Sequence, residues 1–235
     1  TGNFGNILAC YYAKRMGLPI GRLICASNRN DVLTEFLTTG TYNRKREFHL
    51  TNTPSMDILI SSNLERYLFE LFGREARAVA YCMYRLNEGG EYSVTAEALD
   101  QIREEFAAYS CDDQKTLDTI REIHDRCGYV MDTHTAVAVN ALEQYQQETG
   151  DKTPALVVST ASPFKFADSV LTALGREVPA GEFDCLRALS EVSGLAVPAS
   201  LAQLEELPVR FEGAVRPQEM EHALLHALRK MDESM

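Results

Sequence analysis

Apolar residues recur along this chain at two spacings, and a polar or glycine-rich break marks each change between them. Residues 7–16 carry Ile7, Leu8, Tyr11 and Tyr12 in an Ala-rich run stopped by Gly17, which predicts a helix. The contiguous run Leu23-Ile24-Cys25-Ala26 predicts a buried strand. Asn30 or Asp31 then caps a helix through Leu37 that Gly40 closes. Leu64, Leu68 and Leu71 form one stripe of a helix expected over 55–72, and another over 76–86 ends at Gly89-Gly90. Thr95 is the expected cap of a helix over 96–109, where Leu99, Ile102 and Phe106 keep phase. Leu117, Ile120 and Ile123 mark the next helix, stopped near Gly128. The helix over 135–148, with Thr135 at its cap, carries Val139, Leu142 and Tyr145 in phase. The plainest strand signal is Leu156-Val157-Val158. Ser162 as cap and Pro163 at the first helical position then start a helix to Leu174. Pro208-Val209-Arg210-Phe211 reads as an edge strand, and 219–231 as an amphipathic helix with Met220, Leu224, Ala227, Leu228 and Met231 on one face. Short apolar strands alternating with helices predict an α/β fold, with an open, mostly parallel sheet between two helical layers.

Composition narrows the partners. Against 34 Asp and Glu stand 23 Lys and Arg, a net charge of -11 in 235 residues. No broad positive field is therefore expected for a nucleic-acid backbone. No apolar run approaches the ~18 residues of a membrane-spanning helix, so a membrane is not an expected partner either. The chain opens on Thr1 without a basic, apolar leader, which reads as a processed chain or a piece of something longer. Cys10, Cys25, Cys82, Cys111, Cys127 and Cys185 form no C-x-x-C pair and read as reduced, buried small hydrophobes of a cytoplasmic protein. His222 and His226 stand four apart on one helix, but no third ligand accompanies them and no metal is expected.

The candidate chemistry begins at residue 1. Thr1-Gly2-Asn3-Phe4-Gly5-Asn6 runs directly into the first helix. Its glycines allow backbone angles closed to other residues, and such a loop can aim several N–H groups at one anion where the helix dipole is positive. A phosphate ester is the inferred ligand. The loop lacks the Gly-Lys-Ser/Thr of a Walker motif and the G-x-G-x-x-G of a dinucleotide site, so by itself it also reads as a tight turn before an ordinary helix.

That run, followed by Ala9-x-x-Tyr12-Ala13-Lys14-x-x-Gly17-Leu18-Pro19-Ile20, resembles threonine synthase, a pyridoxal-phosphate enzyme of the fold-type-II group. Four further blocks occur in the family's order. They are Ala26-Ser27-Asn28-Arg29-Asn30-Asp31; Ser55-Met56-Asp57-Ile58 with Ser62-Asn63-Leu64-Glu65-Arg66; His134-Thr135-Ala136-Val137-Ala138; and Ser159-Thr160-Ala161-Ser162-Pro163-Phe164-Lys165-Phe166.

The resemblance implies that Gly2, Asn3, Phe4, Gly5 and Asn6 cradle the cofactor phosphate, mainly through backbone N–H groups. It places the Thr160 hydroxyl against the cofactor's pyridine nitrogen, where a neutral partner stabilises ring charge less than a carboxylate would. Thr160 alternatively helps cap the helix near Pro163. Lys165 is either a partner for the substrate phosphate or a solvated cation. Asn28, Asn30 and Asp31 face the expected cleft or simply cap a helix. Ser55, with Asp57, Asn63 and Arg66, forms a substrate wall or an ordinary helix start. His134, a lone histidine, is more often structural.

None of Lys14, Lys45, Lys115, Lys152, Lys165 and Lys230 sits in the family's Schiff-base motif. The whole of 1–235 accordingly reads as a carboxyl-terminal, truncated large domain, with the amino-terminal part and its lysine absent. The implied parent reaction converts O-phospho-L-homoserine and water to L-threonine and phosphate, and the piece alone is expected to be inactive. Two other readings stay open: another fold-type-II lyase or a threonine-synthase-like phospholyase, and a non-catalytic phosphate-binding or interaction domain. Oligomeric state is not legible, and residues 73–90 do not match the pattern of the bacterial enzymes.

Overall fold

The backbone turns at Phe4, whose left-handed φ of 66° joins the opening loop to helix α1 (Gly5–Arg15). This computed structural model describes residues 1–159, 161–209 and 213–232, with side chains as far as 230. Two units are distinguished, Thr1–Val197 and Pro198–Met235.

In the first unit α1 is followed by β1 (Leu23–Ser27), α2 (Val32–Thr39), β2 (Thr41–Asn43), α3 (Leu64–Leu71), α4 (Ala76–Gly89) and β3 (Glu91–Ser93). Then come α5 (Ala96–Glu105), β4 (Phe106–Ser110), α6 (Asp113–Cys127), α7 (Thr133–Thr149), α8 (Ala167–Ala173) and α9 (Glu182–Ser193). β1 and β4 are parallel, in register from Leu23 beside Phe106 to Ser27 beside Ser110. Successive residues of β1 point to opposite faces, as a strand requires. Leu23 and Cys25 enter a core with Phe4, Leu8, Leu33, Phe36, Tyr67 and Phe106. Ile24 and Ala26 enter a second, with Met56, Cys111, Val137 and Ala141. Helices thus cover both faces of the parallel pair: α1 and α2 belong to the first core and α7 to the second. The chain is α/β in three layers, and the carboxyl ends of β1 and β4 open at the same edge.

Several elements form where the pattern places them. Gly40 closes α2 with a φ of 78°. Thr95 caps α5 by accepting from the Ala98 N–H, and Ser162 caps the turn Pro163–Phe166 by accepting from the Phe164 N–H. Others differ. The helix expected over 96–109 stops at Glu105, and Phe106 is already extended (φ -117°, ψ 147°). Phe106 keeps the helical phase of Leu99 and Ile102, but pairing with β1 satisfies the backbone from Phe106 to Ser110, and tertiary pairing overrides periodicity. Of the helix expected over 55–72 only α3 and a 3₁₀ turn, Pro54–Met56, are formed.

Leu156-Val157-Val158 is not a strand. It follows no regular structure, and Leu156 is 88% exposed and Val158 47%. A parallel strand needs a neighbour to take its hydrogen bonds, and among the described residues this run has none. Asp132, not Thr135, caps α7. Arg210 and Phe211 of the expected edge strand lie outside the described residues, and Pro208 and Val209 adopt no regular structure.

β2 and β3, each three residues long, pair antiparallel directly after Gly40 and Gly90, both left-handed. Tyr42 stacks on Tyr92 at 5.4 Å with ring planes 6° apart. The Tyr42 hydroxyl donates to the Leu59 carbonyl (3.1 Å) and accepts from the Ser61 N–H (2.7 Å). Burial pushes its pKa up to about 12, against the opposing Ser61 N–H. Tyr42→Phe keeps the stack and removes both bonds. It should lower unfolding stability by about 1–2 kcal/mol, read from urea denaturation.

In the second unit α10 (Ala199–Ala202) precedes α11 (Met220–Asp232), where Met220, Leu224 and Leu228 are exposed on the expected apolar face. No helix among the described residues is long and apolar enough to cross a membrane.

Candidate functional site

At the carboxyl end of β1, where ligands bind in open α/β sheets, four segments converge. The opening loop is a turn, closed by the Phe4 N–H donating to the Thr1 carbonyl (2.9 Å). That bond occupies the Phe4 N–H, and the Phe4 ring is fully buried against Tyr67 (6.0 Å between centroids) and Phe106 (5.7 Å). Phe4 therefore anchors the loop, and the available donors are its neighbours. No side chain caps the start of α1, and no acidic residue lies in its first turn. The amide hydrogens of Gly5 and Asn6 face the loop without a carboxylate in competition.

Neither Gly2 nor Gly5 has a positive φ; in this loop Phe4 holds the left-handed conformation. The glycines matter through the side chain they lack. A Cβ on Gly2 would lie 3.6 Å from Ser27 Oγ and 3.7 Å from Met56 Cβ. One on Gly5 would lie 3.4 Å from Asn3 Oδ1 and 3.5 Å from Asn63 Nδ2.

Asn3 is held from behind. The Asn63 amide donates to its Oδ1 (2.8 Å) and its carbonyl (3.0 Å), and Arg66 in turn donates to Asn63 Oδ1 (2.8 Å). Ser61 Oγ donates to the same Asn3 carbonyl (3.2 Å). With Oδ1 engaged, the Asn3 amide is turned so that its own N–H groups point elsewhere, on an exposed side chain.

Asn28 and Asn30 face inward, only 2% and 3% exposed. Asn28 Nδ2 shares its two hydrogens among Thr51 Oγ1, Thr53 Oγ1 and Asp57 Oδ1 (2.8–2.9 Å), and its Oδ1 accepts from the Asn30 N–H (2.9 Å). Asn30 Nδ2 donates to the His49 carbonyl and Asp57 Oδ1, and Asn30 Oδ1 accepts from the His49 N–H. Their hydrogen-bonding capacity is spent fastening the 49–57 loop to the end of β1. Asp31 turns outward to Arg46 (2.5 Å) and makes no side-chain cap to α2.

The fourth segment is the start of α7. Asp132, fully buried, accepts from the His134 N–H (2.9 Å), the Thr135 N–H (3.3 Å) and the Thr135 hydroxyl. Burial opposes its charge, but the hydrogen bonds from His134 and Thr135 prevail and hold its carboxyl below the usual carboxylate range. His134 Nε2 accepts from the Ser55 N–H (3.2 Å), which requires the Nδ1–H tautomer, and Nδ1 lies 3.4 Å from both Asp132 Oδ1 and Thr133 Oγ1. The imidazole fixes the Pro54–Met56 turn, and with it Met56, under Gly2. Its other face meets the Phe166 ring at 4.7 Å, over which Lys165 Nζ stands at 5.4 Å.

Of the residues proposed from the sequence, the structure gathers the 1–6 loop, Ser55 and Asn63 at this edge. Lys165 stands exposed on the same chain of contacts, through Phe166 and His134. Asn28 and Asn30 it buries, and Asp31 it turns away. Thr160 lies outside the described residues; the Ser159 hydroxyl beside it is 3.4 Å from Thr135 Oγ1, which can accept from it while its own proton goes to Asp132. Ser27, Ser61 and Asp132 were not singled out. Asp132 had a readable signal, an Asp before His-Thr and an apolar helical pattern. Ser61 had none. The Ser27 hydroxyl is fully buried with no hydrogen-bond partner among the described residues, an arrangement that costs about 1–3 kcal/mol.

Known proteins resemble this chain in sequence and structure. The family model described as "Threonine synthase, C-terminal" matches residues 135–223. Human threonine synthase-like 1 is 40% identical over 175 residues, 74% of this chain and 23% of that protein. Yeast threonine synthase superposes with a TM-score of 0.83 at 32% identity, over 98% of this chain and 46% of its own. A pyridoxal-phosphate-bound threonine synthase from Brucella melitensis gives 0.70 at 43% identity, over 80% and 40%. The chain thus spans less than half the length of each of these relatives. By sequence and by structure it belongs to the threonine synthase family, with residues 135–223 matching the model of that family's carboxyl-terminal part.

Proposed function

We propose that this chain is the phosphate-cradling part of a pyridoxal-phosphate lyase that converts O-phospho-L-homoserine and water to L-threonine and phosphate. One observation carries the reading: the start of α1, uncapped by side chains and free of carboxylates, lies beside the end of β1 with Asn3 pre-set by Asn63. A buried hydroxyl without a partner and an empty Cβ position at Gly2 fit a phosphate-bearing ligand there. When bound, pyridoxal phosphate supplies the electron sink for proton removal next to the amino group. This chain's own residues bind and orient. The N–H groups of Gly5 and Asn6 and the Asn3 amide hold the cofactor phosphate, and Lys165 draws the substrate phosphate to the rim. His134 and Ser55 fix the wall between them, while Asn28 and Asn30 position the 49–57 loop rather than touch substrate. The lysine that carries the cofactor comes from a part of the protein outside these residues.

The chain is therefore expected to bind pyridoxal phosphate and inorganic phosphate measurably. Asn3→Ala should weaken both by roughly tenfold. No phosphate should be released from O-phospho-L-homoserine by these residues alone. Absence of binding, or turnover by the chain itself, would overturn the respective half of the proposal. The identity to a relative named threonine synthase-like favours a second reading, a phospholyase on the same scaffold. Phosphate release from other phosphorylated amino alcohols by the whole protein, in preference to O-phospho-L-homoserine, would select it.

A further inference from the structure

We infer that the Ser27 hydroxyl is a ligand donor, held in reserve beneath the 1–6 loop for an oxygen of the phosphate bound there. The inference rests on the reading of that loop as a phosphate cradle and adds a residue to it.

Ser27 ends β1. Its carbonyl is used in the sheet edge, accepting from the Cys111 N–H (2.9 Å), while its side chain is fully buried and Oγ has no partner among the described residues. The other buried, unpartnered oxygens among the described residues belong to Asn52 and Tyr92, in the 49–57 loop and on β3, since Glu35 Oε2 is paired with the Arg46 guanidinium. Ser27 alone of the three lies at the loop: its Oγ is 3.6 Å from where a Gly2 side chain would begin. Gly2 needs no unusual φ, so glycine here does not serve backbone geometry. It leaves an atom-sized position empty, bounded by Ser27 Oγ and Met56 Cβ, next to a helix start that no side chain caps. An empty position, an unpaired donor and an uncapped helix coincide.

The deprotonated oxygens of a phosphate are acceptors, so they match a hydroxyl whose proton has no other destination. A bond from a neutral hydroxyl to an anionic oxygen is among the stronger hydrogen bonds. It needs no added positive charge, which suits an anion site in a chain of net charge -11.

The test is a thermal-shift and equilibrium-binding comparison of the protein with its Ser27→Ala and Ser27→Cys variants. The probes are pyridoxal phosphate, inorganic phosphate and unphosphorylated pyridoxal. Without ligand, S27A should melt at or above the parent temperature, because an unpaired buried hydroxyl has been removed. Its affinity for both phosphates should fall roughly tenfold or more, with pyridoxal unaffected. S27C keeps the volume and lacks a strong donor, so it should lose affinity similarly. Unchanged phosphate affinity in both variants would overturn the role of Ser27 while leaving the cradle intact. So would an S27A that melts lower or fails to fold, since the hydroxyl would then have a structural partner. If the parent binds neither phosphate, the cradle reading itself falls, and this inference with it.

Discussion

Replacing Phe4 with alanine is expected to destabilise the protein by about 3–5 kcal/mol, the cost of emptying a fully buried aromatic site. The ring touches Tyr67 and Phe106, and through Phe106 the strand that pairs with β1. Alanine offers no relief at a φ of 66°, so the loss of packing is not offset by relaxed backbone. Ligand binding should suffer as well, because this ring is what ties the Thr1–Phe4 turn to the core. Phe4→Leu, which refills part of the volume, should recover a substantial part of both losses. Urea unfolding followed by circular dichroism gives the stability. A loss below about 1 kcal/mol for the alanine variant would mean that the loop is held by its hydrogen bonds to Asn63 and Ser61 instead.

Phe4 also shows how far the sequence could be read. Its place in a Gly-Asn-Phe-Gly motif is visible. That the phenylalanine takes the left-handed conformation, and the glycines do not, is not visible, because it follows from a core pocket built by α3 and β4. The same limit explains β4. Phe106 lies on the helical stripe of Leu99 and Ile102, and only the neighbouring β1 converts the segment to a strand. The triplet Leu156-Val157-Val158 errs the other way, with β-branched residues and, among the described residues, no strand beside them to pair with. β2 and β3 are too short for any period to register, whereas the glycines before them, Gly40 and Gly90, are legible as helix stops.

Within the site, residue types were legible and directions were not. Asn28 and Asn30 sit in the right block at the right strand end, yet their amides turn inward onto Thr51, Thr53 and Asp57. A spacing rule cannot tell an asparagine that meets a ligand from one that fastens a loop, since both need the same donors and acceptors. Ser27 is the converse case. It lies beside Asn28 in the same motif, and only its burial and its lack of a partner set it apart.

Asp132→Ala is the other change expected to cost about 3 kcal/mol at neutral pH. It strands the backbone N–H groups of His134 and Thr135 in a fully buried place, takes the carboxylate from the Thr135 hydroxyl and removes the cap of α7. Two contacts with the site loosen with it. Thr135 loses the acceptor that orients it beside Ser159, and His134 loses the neighbour that orients its ring against the Ser55 N–H. The pH dependence has a definite sign. Asp132 ionises at lower pH in the folded protein than the ~3.9 of an unfolded aspartate, despite its burial, because His134 and Thr135 donate to it. Its full contribution is present above that unfolded value, and it is lost as pH falls through the folded one. The gap in unfolding free energy between parent and variant should therefore be full at pH 7 and narrow as pH is lowered below ~3.9. Asn at 132 retains an acceptor for the His134 and Thr135 N–H groups but carries no charge, so it should recover part of the stability at pH 7 and none of this acid dependence. A constant gap between parent and D132A across the range would place the acid sensitivity on another carboxyl.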